Sequence, residues 1–344
     1  MKEILHIDGQ YPSRVDVAVL LLFFTRTEIT KRTFEQIRKA RPSRLYLYQD
    51  GPRFGRKNDV ENIAECRKVV ENMIDWECDV HKFYQEDNQG CDPSEYVSQK
   101  WMFETEVKGI IIEDDDVMSV SFFRFCKELL DRYENDTRIN IICGMNHLGV
   151  YEDCPYDYFF SRLGGAIWGW ATWKRVVDSW DSQYKFLDNK YIKQCLYSEH
   201  GKELSDALYV NCTKHLATGC EHYESILGVC GYLNNVVNIV PTKNMTCNCG
   251  VGLESTHSTE YHKLPLSTRR QLFMKTYELE FPLRHPEYIQ SDYHHWALVK
   301  RQVHGNWFVR TFRINKLEHI IYMFFPAIGK WVTRFEKDKQ FEIH

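Results

Sequence analysis

Four consecutive acids, Glu113-Asp114-Asp115-Asp116, are the residues of this sequence whose type and spacing most clearly suggest chemistry. They directly follow the apolar segment 109–112, which has the composition of a buried strand. Neighbouring carboxylates repel one another unless a cation or a set of hydrogen-bond donors compensates their charge. Hard cations such as Mg²⁺ and Mn²⁺ prefer oxygen ligands, often one or two carboxylates together with substrate phosphates. The cluster therefore favours a site for a divalent metal and a nucleotide over its alternative, a solvated acidic loop.

A second segment combines glycines with tryptophans: Gly164-Gly165 is followed closely by Trp168-Gly169-Trp170. Glycine lets the backbone approach a ligand closely, and an indole face can stack on the C–H face of a sugar. The structural alternative is that these tryptophans belong to the core. Both interpretations stay open at this stage.

The acids lie within an alternation of strand-like and helix-like segments that fills the first 150 residues. Repeated strand–helix units imply right-handed crossovers and a parallel sheet, and ligands of such sheets bind beyond the carboxyl ends of the strands. We therefore expect the acids to lie in a binding crevice. The predicted strands are 15–24, 44–50, 79–84, 109–112 and 139–143, and the predicted helices lie near 29–41, 60–74, 94–106 and 122–133.

The pattern changes after residue 150. A loop region rich in Trp, Tyr and Gly covers 151–181, and a second loop, rich in Gly, Ser and Thr, extends to about 260. The α/β alternation ends near 262. We therefore expect one α/β domain over 1–262, with halves 1–116 and 117–262, and a mainly helical extension over 263–344. Between the two loops we predict helices near 189–216 and 221–233 and a strand at 236–240.

Composition limits the possible functions of the chain. Its 344 residues are 43% apolar and 27% charged, which is typical of a folded globular protein and not of a disordered one. A net charge of −4 gives no reason to expect a nucleic-acid partner. The cysteines form no CxxC pair, and their closest spacing is Cys247-x-Cys249. We therefore expect reduced thiols and a cytoplasmic chain without a signal peptide or a membrane-spanning segment.

The segment 296–335 is basic and aromatic. It carries seven Lys and Arg residues against one Glu, with Trp, Phe and Tyr between them. Such a segment can lie on an anionic membrane surface, with its aromatic rings at headgroup depth. Helices that pack on the catalytic domain are the alternative.

Several motifs occur in an order and spacing that resemble one family over residues 15–260. The sequence is similar to the GT-A nucleotide-sugar glycosyltransferases, and within them to the branch related to eukaryotic N-acetylglucosaminyltransferase I and its bacterial counterparts. The matching motifs are the acids with the following Ser121-Phe122-Phe123, Asn88-x-Gly90-Cys91, Glu104, Gly144-x-Asn146, the segments 159–162 and 167–174, Tyr223-Glu224, 244–250 and 254–258. The resemblance implies a mostly parallel, Rossmann-like sheet flanked by helices.

The resemblance also implies roles for the acids and for two residues near the first strands. Asp115 matches the metal-coordinating aspartate of the DXD motif, Asp114 its ribose-facing neighbour, and Glu113 a residue that faces the donor sugar or the nucleotide. Arg26 and Asp50 resemble the pair that recognises the base, with Asp50 accepting a hydrogen bond from a uracil N3–H. Their structural alternatives are an arginine at a helix start and an aspartate in a turn.

Further roles follow from the same resemblance. Trp168, Gly169 and Trp170 match the loop that contacts the donor and acceptor sugars. His257 matches a position near the diphosphate, although a histidine in a loop also has purely structural uses.

Glu224 resembles the catalytic base of this family, with glutamate in place of aspartate. Transfer with inversion needs a carboxylate within hydrogen-bond reach of the acceptor hydroxyl, where it takes the proton as attack proceeds. The spacing from Tyr223-Glu224 to Asn234-Asn235 and then to Pro241 matches the family pattern. The neighbouring Glu221 is the rival for this role, and a position on a helix surface is the structural alternative.

The sequence therefore predicts an inverting, metal-dependent hexosyl- or N-acetylhexosaminyltransferase that uses Mn²⁺ or Mg²⁺. Its donor would be a nucleotide-sugar of the UDP type, and its acceptor a glycan or a lipid-linked saccharide in polysaccharide biosynthesis, with peripheral contact to the cytoplasmic face of a membrane through 296–335. One alternative is a sugar-phosphate nucleotidyltransferase, but 24–28 lacks the glycine-rich phosphate loop that it would need. Another is a carbohydrate-binding protein without catalysis.

Overall fold

A computed structural model describes residues 2–251 and 261–304, together with residues 320 and 324. The strands are β1 (Lys2–Ile7), β2 (Val15–Phe23), β3 (Pro42–Gln49), β4 (Cys78–Tyr84), β5 (Lys108–Glu113), β6 (Asp116–Met118), β7 (Ile139–Cys143), β8 (Tyr158–Ser161), β9 (Trp170–Trp173), β10 (Val237–Pro241) and β11 (Thr246–Asn248). The α-helices are α1 (Thr27–Ala40), α2 (Asp59–Asn72), α3 (Cys91–Thr105), α4 (Ser121–Arg132), α5 (Lys174–Asp178), α6 (Lys190–Thr218), α7 (Tyr223–Leu233), α8 (Leu266–Arg269) and α9 (Tyr293–His304).

A nine-stranded sheet forms the centre of the molecule, in the order β1-β4-β3-β2-β5-β9-β7-β10-β8. Strands β2, β3, β4, β5, β7 and β10 run in one direction, and β1, β8 and β9 run in the opposite one. Helices pack against this sheet, with α3 and α4 both in contact with β2. The predicted class, an α/β fold with a mostly parallel sheet flanked by helices, is confirmed.

The first half of the sheet follows the hydrophobic pattern closely. Residues 17–23 of β2 are all buried, because helices or loops cover both faces of this central strand. The units β2-α1-β3 and β3-α2-β4 each join parallel neighbours, as the alternation predicted. These crossovers bring the carboxyl ends of β2, β3 and β5 to the same edge.

The segment 151–181, predicted as a loop region, contributes two strands to the sheet. Strand β9 lies between β5 and β7 and is antiparallel to both, and β8 forms the far edge beside β10. Both strands have only four residues, and every one of these residues is buried. Strands this short and fully buried show no alternation of polar and apolar residues. In the sequence, their aromatic residues therefore look like part of a loop.

The described part of the extension packs on the α/β domain. The Glu278 carboxylate accepts hydrogen bonds from the backbone N–H groups of Val120 (2.9 Å) and Ser121 (2.7 Å) at the start of α4. On α9, the fully buried His295 places Nε2 3.0 Å from Asn146 Oδ1. Within the segment 296–335, Val299 of α9 is buried as well, which is the packing given as the alternative.

Most of the segment 296–335, for which membrane contact is predicted, lies outside the described residues. None of the helices in the described ranges combines the length and the hydropathy that crossing a bilayer requires.

Candidate active site

The acid segment lies where strand β5 leaves the sheet. Glu113 is the last residue of β5, Asp114 and Asp115 form a turn, and Asp116 begins β6. Asp114 and Asp115 are 4% and 8% exposed, so their carboxylates are largely removed from solvent. The cluster is therefore not a solvated loop, and its charge must be compensated within the protein.

Arg26, at the start of α1, supplies the cation. Its guanidinium binds Asp114 Oδ1, and Nη2 lies 2.9 Å from Asp115 Oδ2. Burial lowers the pKa of Arg26, but the carboxylates of Asp114 and Asp115 more than offset this effect and raise the pKa overall. Thr33 of the same helix donates to the backbone oxygen of Asp114 at 2.8 Å. Arg26, predicted to recognise the base, thus also compensates the acids in this structure.

Strand β11 holds the acids from the other side. Asn248 Nδ2 donates to Asp115 Oδ1 (3.2 Å) and to Asp116 Oδ1 (3.1 Å), and the Cys249 N–H donates to the backbone oxygen of Asp115 (2.9 Å). Asp116 is fully buried, and burial together with the charge of Asp115 raises its pKa well above the usual range. The fourth acid thus belongs to the contact between β6 and β11.

A cavity of about 240 Å³ lies beside the acids, at the carboxyl ends of β2, β3 and β5. The N-terminal residues of α1 and α3 also border it. Arg26, Asp50, Glu113 and Asp114, four of the candidate site residues, all line this cavity. Asp115 is not among its lining residues. The remaining lining residues are Leu22, Phe23, Phe24, Thr25, Tyr48, Arg53, Asn88, Gly90, Cys91, Ser94 and Glu95.

Asp50 organises the loop at the mouth of this cavity. Oδ1 accepts hydrogen bonds from the N–H groups of Gly51 and Gln89, both at 2.8 Å, and Oδ2 accepts from Gly90 N–H at 3.0 Å and Asn88 Nδ2 at 2.8 Å. Burial raises the pKa of Asp50, although these donors favour the ionised form. Asp50 thus has the structural turn role given as its alternative, and its contact with a uracil stays a prediction.

Glu95 is a functional candidate that the sequence analysis missed. It lies on α3, is 8% exposed and lines the cavity. Burial, and then the charges of Glu113 and Glu224, raise its pKa well above the usual range. The sequence did contain one signal for Glu95. The helix α3 begins just beyond the carboxyl end of β4, and Glu95 lies little more than one helical turn after Gly90, the residue before α3.

Glu224, the predicted base, lies in the first turn of α7 and is exposed. Burial is the main cause that raises the pKa of Glu95 and of Glu113, and the charge of Glu224 adds to the effect in both, so Glu224 lies within electrostatic range of the cavity acids. The preceding Tyr223 is 1% exposed and anchors the start of the helix in the core. Glu221, the rival, is half-buried and precedes α7.

The glycine–tryptophan segment divides between two environments. Trp170 is 1% exposed and belongs to strand β9 in the core, so its placement favours the structural alternative and gives no support to a sugar contact. Trp168 is half-buried and packs on a small second cluster that includes Cys247 and Phe273. Gly169 has φ +63°, in the left-handed region that favours glycine, so the backbone conformation accounts for a glycine here without a ligand.

His257, predicted to lie near the diphosphate, falls within residues 252–260, outside the described residues. Its role stays a prediction.

No protein-family model matches the chain, and no curated protein sequence matches it. Among solved structures, the glycosyltransferase GlyE of Streptococcus pneumoniae TIGR4 matches 58% of this chain at 11% identity with a TM-score of 0.27. Its apo form matches the same share at 12% identity with a TM-score of 0.26. UDP-glucose pyrophosphorylase in complex with UDP-glucose matches 43% of the chain at 9% identity with a TM-score of 0.23. The matches span 43% of GlyE and 58% of the pyrophosphorylase, and all are weak.

Asp115 is the residue for which the family resemblance implies a metal-ligand role. Across residues 2–251 and 261–304, no group of three or more His, Cys, Asp and Glu side chains has an arrangement suited to a metal ion. A Mg²⁺-type site with one protein carboxylate and substrate phosphates does not require such a group. A Cβ at Gly250 would lie 2.0 Å from Asp115 Oδ2, so only glycine lets the backbone at 250 come this close to the carboxylate. Carboxylate oxygens are ligands that Mg²⁺ and Mn²⁺ prefer, but Oδ2 already meets Arg26 Nη2 and Oδ1 meets Asn248 Nδ2, so a metal at Asp115 stays a prediction.

Proposed function

We propose that this chain is a glycosyltransferase that moves a sugar from a nucleotide-sugar, of the UDP type, to an acceptor hydroxyl. The observation that carries the proposal is the cavity of about 240 Å³, which gathers Arg26, Asp50, Glu113 and Asp114 at the carboxyl ends of three strands. This edge of an open α/β sheet is where ligands bind.

Two helix N-termini border the cavity and suit the diphosphate of the donor. Thr25 and Arg26 directly precede α1, and Gly90 directly precedes α3. The first N–H groups of a helix have no intrahelical partner, and together with the helix dipole they favour an anion. In this proposal Asp114 faces the ribose, Asp50 and Arg26 lie near the base, and Glu113 faces the donor sugar.

Asp115 is the residue that would hold a divalent metal together with the diphosphate. When bound, Mn²⁺ or Mg²⁺ would supply charge neutralisation for the departing diphosphate. Arg26 already contacts Asp114 and Asp115, so its guanidinium supplies part of the positive charge on the protein side.

Glu224 is the proposed base. The acceptor oxygen attacks the anomeric carbon from the face opposite the diphosphate, the bond to the diphosphate oxygen breaks, and the hydroxyl proton passes to the Glu224 carboxylate. The exposed position of Glu224 allows an acceptor to approach from solvent. Burial, with a smaller contribution from the Glu224 charge, raises the pKa of Glu95 and of Glu113, and groups with perturbed pKa values in a cleft are typical of functional sites.

A donor screen tests this function. The full chain is incubated with UDP-sugars, a glycan or lipid-linked acceptor and Mn²⁺, and released UDP is measured. We expect metal-dependent UDP release that Glu224→Gln lowers about 10²- to 10⁴-fold, the usual contribution of a general base. Glu221→Gln is the matched control and should retain activity.

Three outcomes would contradict parts of the proposal. Full activity of Glu224→Gln overturns the base, and loss in Glu221→Gln alone transfers the role to Glu221. Release of pyrophosphate from UTP and a sugar 1-phosphate, supplied in a separate incubation, without UDP release from any UDP-sugar, indicates the nucleotidyltransferase alternative. Binding of a saccharide, with neither turnover nor nucleotide binding, indicates a carbohydrate-binding protein.

Membrane contact through 296–335 is a further part of the proposal, because a lipid-linked acceptor lies at the membrane. The full chain should co-sediment with liposomes that contain anionic lipid, and a chain that ends at residue 304 should not. That truncation keeps α9, whose His295 is buried against the α/β domain. Equal sedimentation of the two chains would exclude residues 305–335 as the membrane contact.

A further inference from the structure

Two thiols lie side by side next to the acid segment. Cys247 is in β11 and Cys249 directly follows it, so their side chains lie on the same face of the extended chain. Their Sγ atoms are 3.6 Å apart. Residues two apart in a strand have Cα atoms separated by about 6.6 Å, within the roughly 4.4–6.8 Å that a disulfide spans. A small backbone shift would therefore bring the two sulfurs to bonding distance.

A cavity gives small molecules access to this pair. It has a volume of about 640 Å³ and is separate from the cavity beside Asp50. Both Cys247 and Cys249 line it, together with residues of α1 and of the segment 117–119. Cys249 is half-buried and Cys247 is 3% exposed, so Cys249 is the more accessible thiol.

The peptide between the two thiols is the one that holds the acids. The Asn248 side chain binds the carboxylates of Asp115 and Asp116, and the Cys249 N–H binds the backbone of Asp115. Asn248 is also the register partner of Asp116 in the β6–β11 pair. Any change in the backbone from 247 to 249 must therefore move the donors of Asp115.

We propose that Cys247 and Cys249 form a reversible disulfide that loosens the Asp115 site. The oxidant is a hydroperoxide: Cys249 Sγ attacks one peroxide oxygen, which gives a sulfenic acid and releases water or an alcohol. Cys247 Sγ then attacks the sulfenic sulfur and releases water, so two thiols are oxidised and one peroxide is reduced. A dithiol reductant reverses the reaction by exchange.

The disulfide itself does not depend on the proposed function, whereas its effect on nucleotide binding rests on it. The full chain is treated with hydrogen peroxide, alkylated and analysed by peptide mass spectrometry. We expect the peptide that contains Cys247 and Cys249 to escape alkylation and to weigh two hydrogen atoms less than its reduced form, and dithiothreitol to restore both thiols. Cys195→Ser and Cys220→Ser, which remove exposed thiols elsewhere, should leave this result unchanged.

Hydrogen–deuterium exchange measures the effect on the acids without any nucleotide. Oxidation should speed exchange in the peptide over 113–119 and in β11, and it should weaken UDP binding in the presence of Mn²⁺ by about fivefold or more, the scale of a typical coupling between sites. In Cys249→Ser, peroxide should change neither the exchange rate nor the UDP affinity. Cys247→Ser serves as the second variant if Cys249→Ser does not fold.

The outcomes separate the two proposals. Alkylation of both thiols after peroxide, or pairing of either with a different cysteine, overturns the disulfide. A disulfide without faster exchange in 113–119 overturns its link to Asp115. A further outcome is that oxidation speeds exchange in 113–119 while the reduced protein never binds UDP. That result contradicts the proposed function and leaves the disulfide established.

Discussion

The acids have a charged partner on one side and neutral partners on the other. On the side of α1, the Arg26 guanidinium binds Asp114 and Asp115. On the side of β11, the Asn248 amide donates to Asp115 and Asp116, and the Cys249 N–H donates to the backbone oxygen of Asp115. A guanidinium cancels charge, while neutral donors fix position without cancelling it. The α1 side therefore controls the electrostatics of the site, and the β11 side controls its geometry.

The largest expected effect comes from removing the charged partner. Arg26→Ala leaves Asp114 and Asp115 buried without their cation, and removing one partner of a buried ion pair costs about 3 to 5 kcal/mol in the free energy of unfolding. Urea denaturation at pH 7 measures it. Arg32→Ala, an exposed arginine on the same helix, should change the stability by less than about 0.5 kcal/mol. A similar loss in both variants would show that the acids do not depend on Arg26.

Gly250→Ala tests the geometric side. The new Cβ would lie 2.0 Å from Asp115 Oδ2, so the backbone or the carboxylate must move. Overpacking of this kind costs about 1 to 3 kcal/mol, and we expect a loss of metal-dependent UDP binding, which calorimetry would measure.

Gly228→Ala on α7 is the matched control for that variant, because a Cβ there meets no atom within 4 Å. Alanine in a helix should stabilise it slightly. Unchanged UDP binding in Gly250→Ala would contradict a geometric role for β11.

A smaller expected effect tests the electrostatics of the buried acids through Glu95. Burial and the nearby acids raise the pKa of Glu95, so the folded state keeps a proton that the unfolded state loses above about pH 4.3. Stability therefore falls as the pH rises from that value through the raised pKa. Glu95→Gln removes this dependence and should stabilise the protein by about 1 kcal/mol or more at pH 8 and by nothing near pH 4.

Thermal unfolding across this pH range measures the difference between Glu95→Gln and the wild type. Glu104→Gln, an exposed glutamate on the same helix, should follow the wild-type curve. A stability gain in Glu95→Gln that does not vary with pH would contradict the titration of Glu95.

The first half of the fold was predictable from the sequence because β2 and β5 are continuous apolar runs, β3 and β4 are short strand-like segments, and a helical segment separates each strand from the next. Their order alone places Glu113 to Asp116 at the carboxyl edge of the sheet. Strands β8 and β9 were missed since four buried aromatic-rich residues carry no period, and their pairing depends on contacts distant in sequence.

The site was predictable in position but not in contacts. The family resemblance singled out Arg26 and Asp50, which both line the cavity, yet the Arg26 ion pairs and the hydrogen bonds that Asp50 accepts from 88–90 depend on long-range packing. For Trp170 the sequence left the sugar loop and the core both open, because an indole suited to a sugar face is equally suited to the core, where the structure places it.

A crystal structure of the full chain with UDP and Mn²⁺ tests the central claim most directly. The proposal predicts UDP in the cavity of about 240 Å³, with the diphosphate at the N-termini of α1 and α3, the ribose at Asp114 and the metal between Asp115 and the diphosphate. UDP bound elsewhere, or no UDP at saturating concentration, would contradict it.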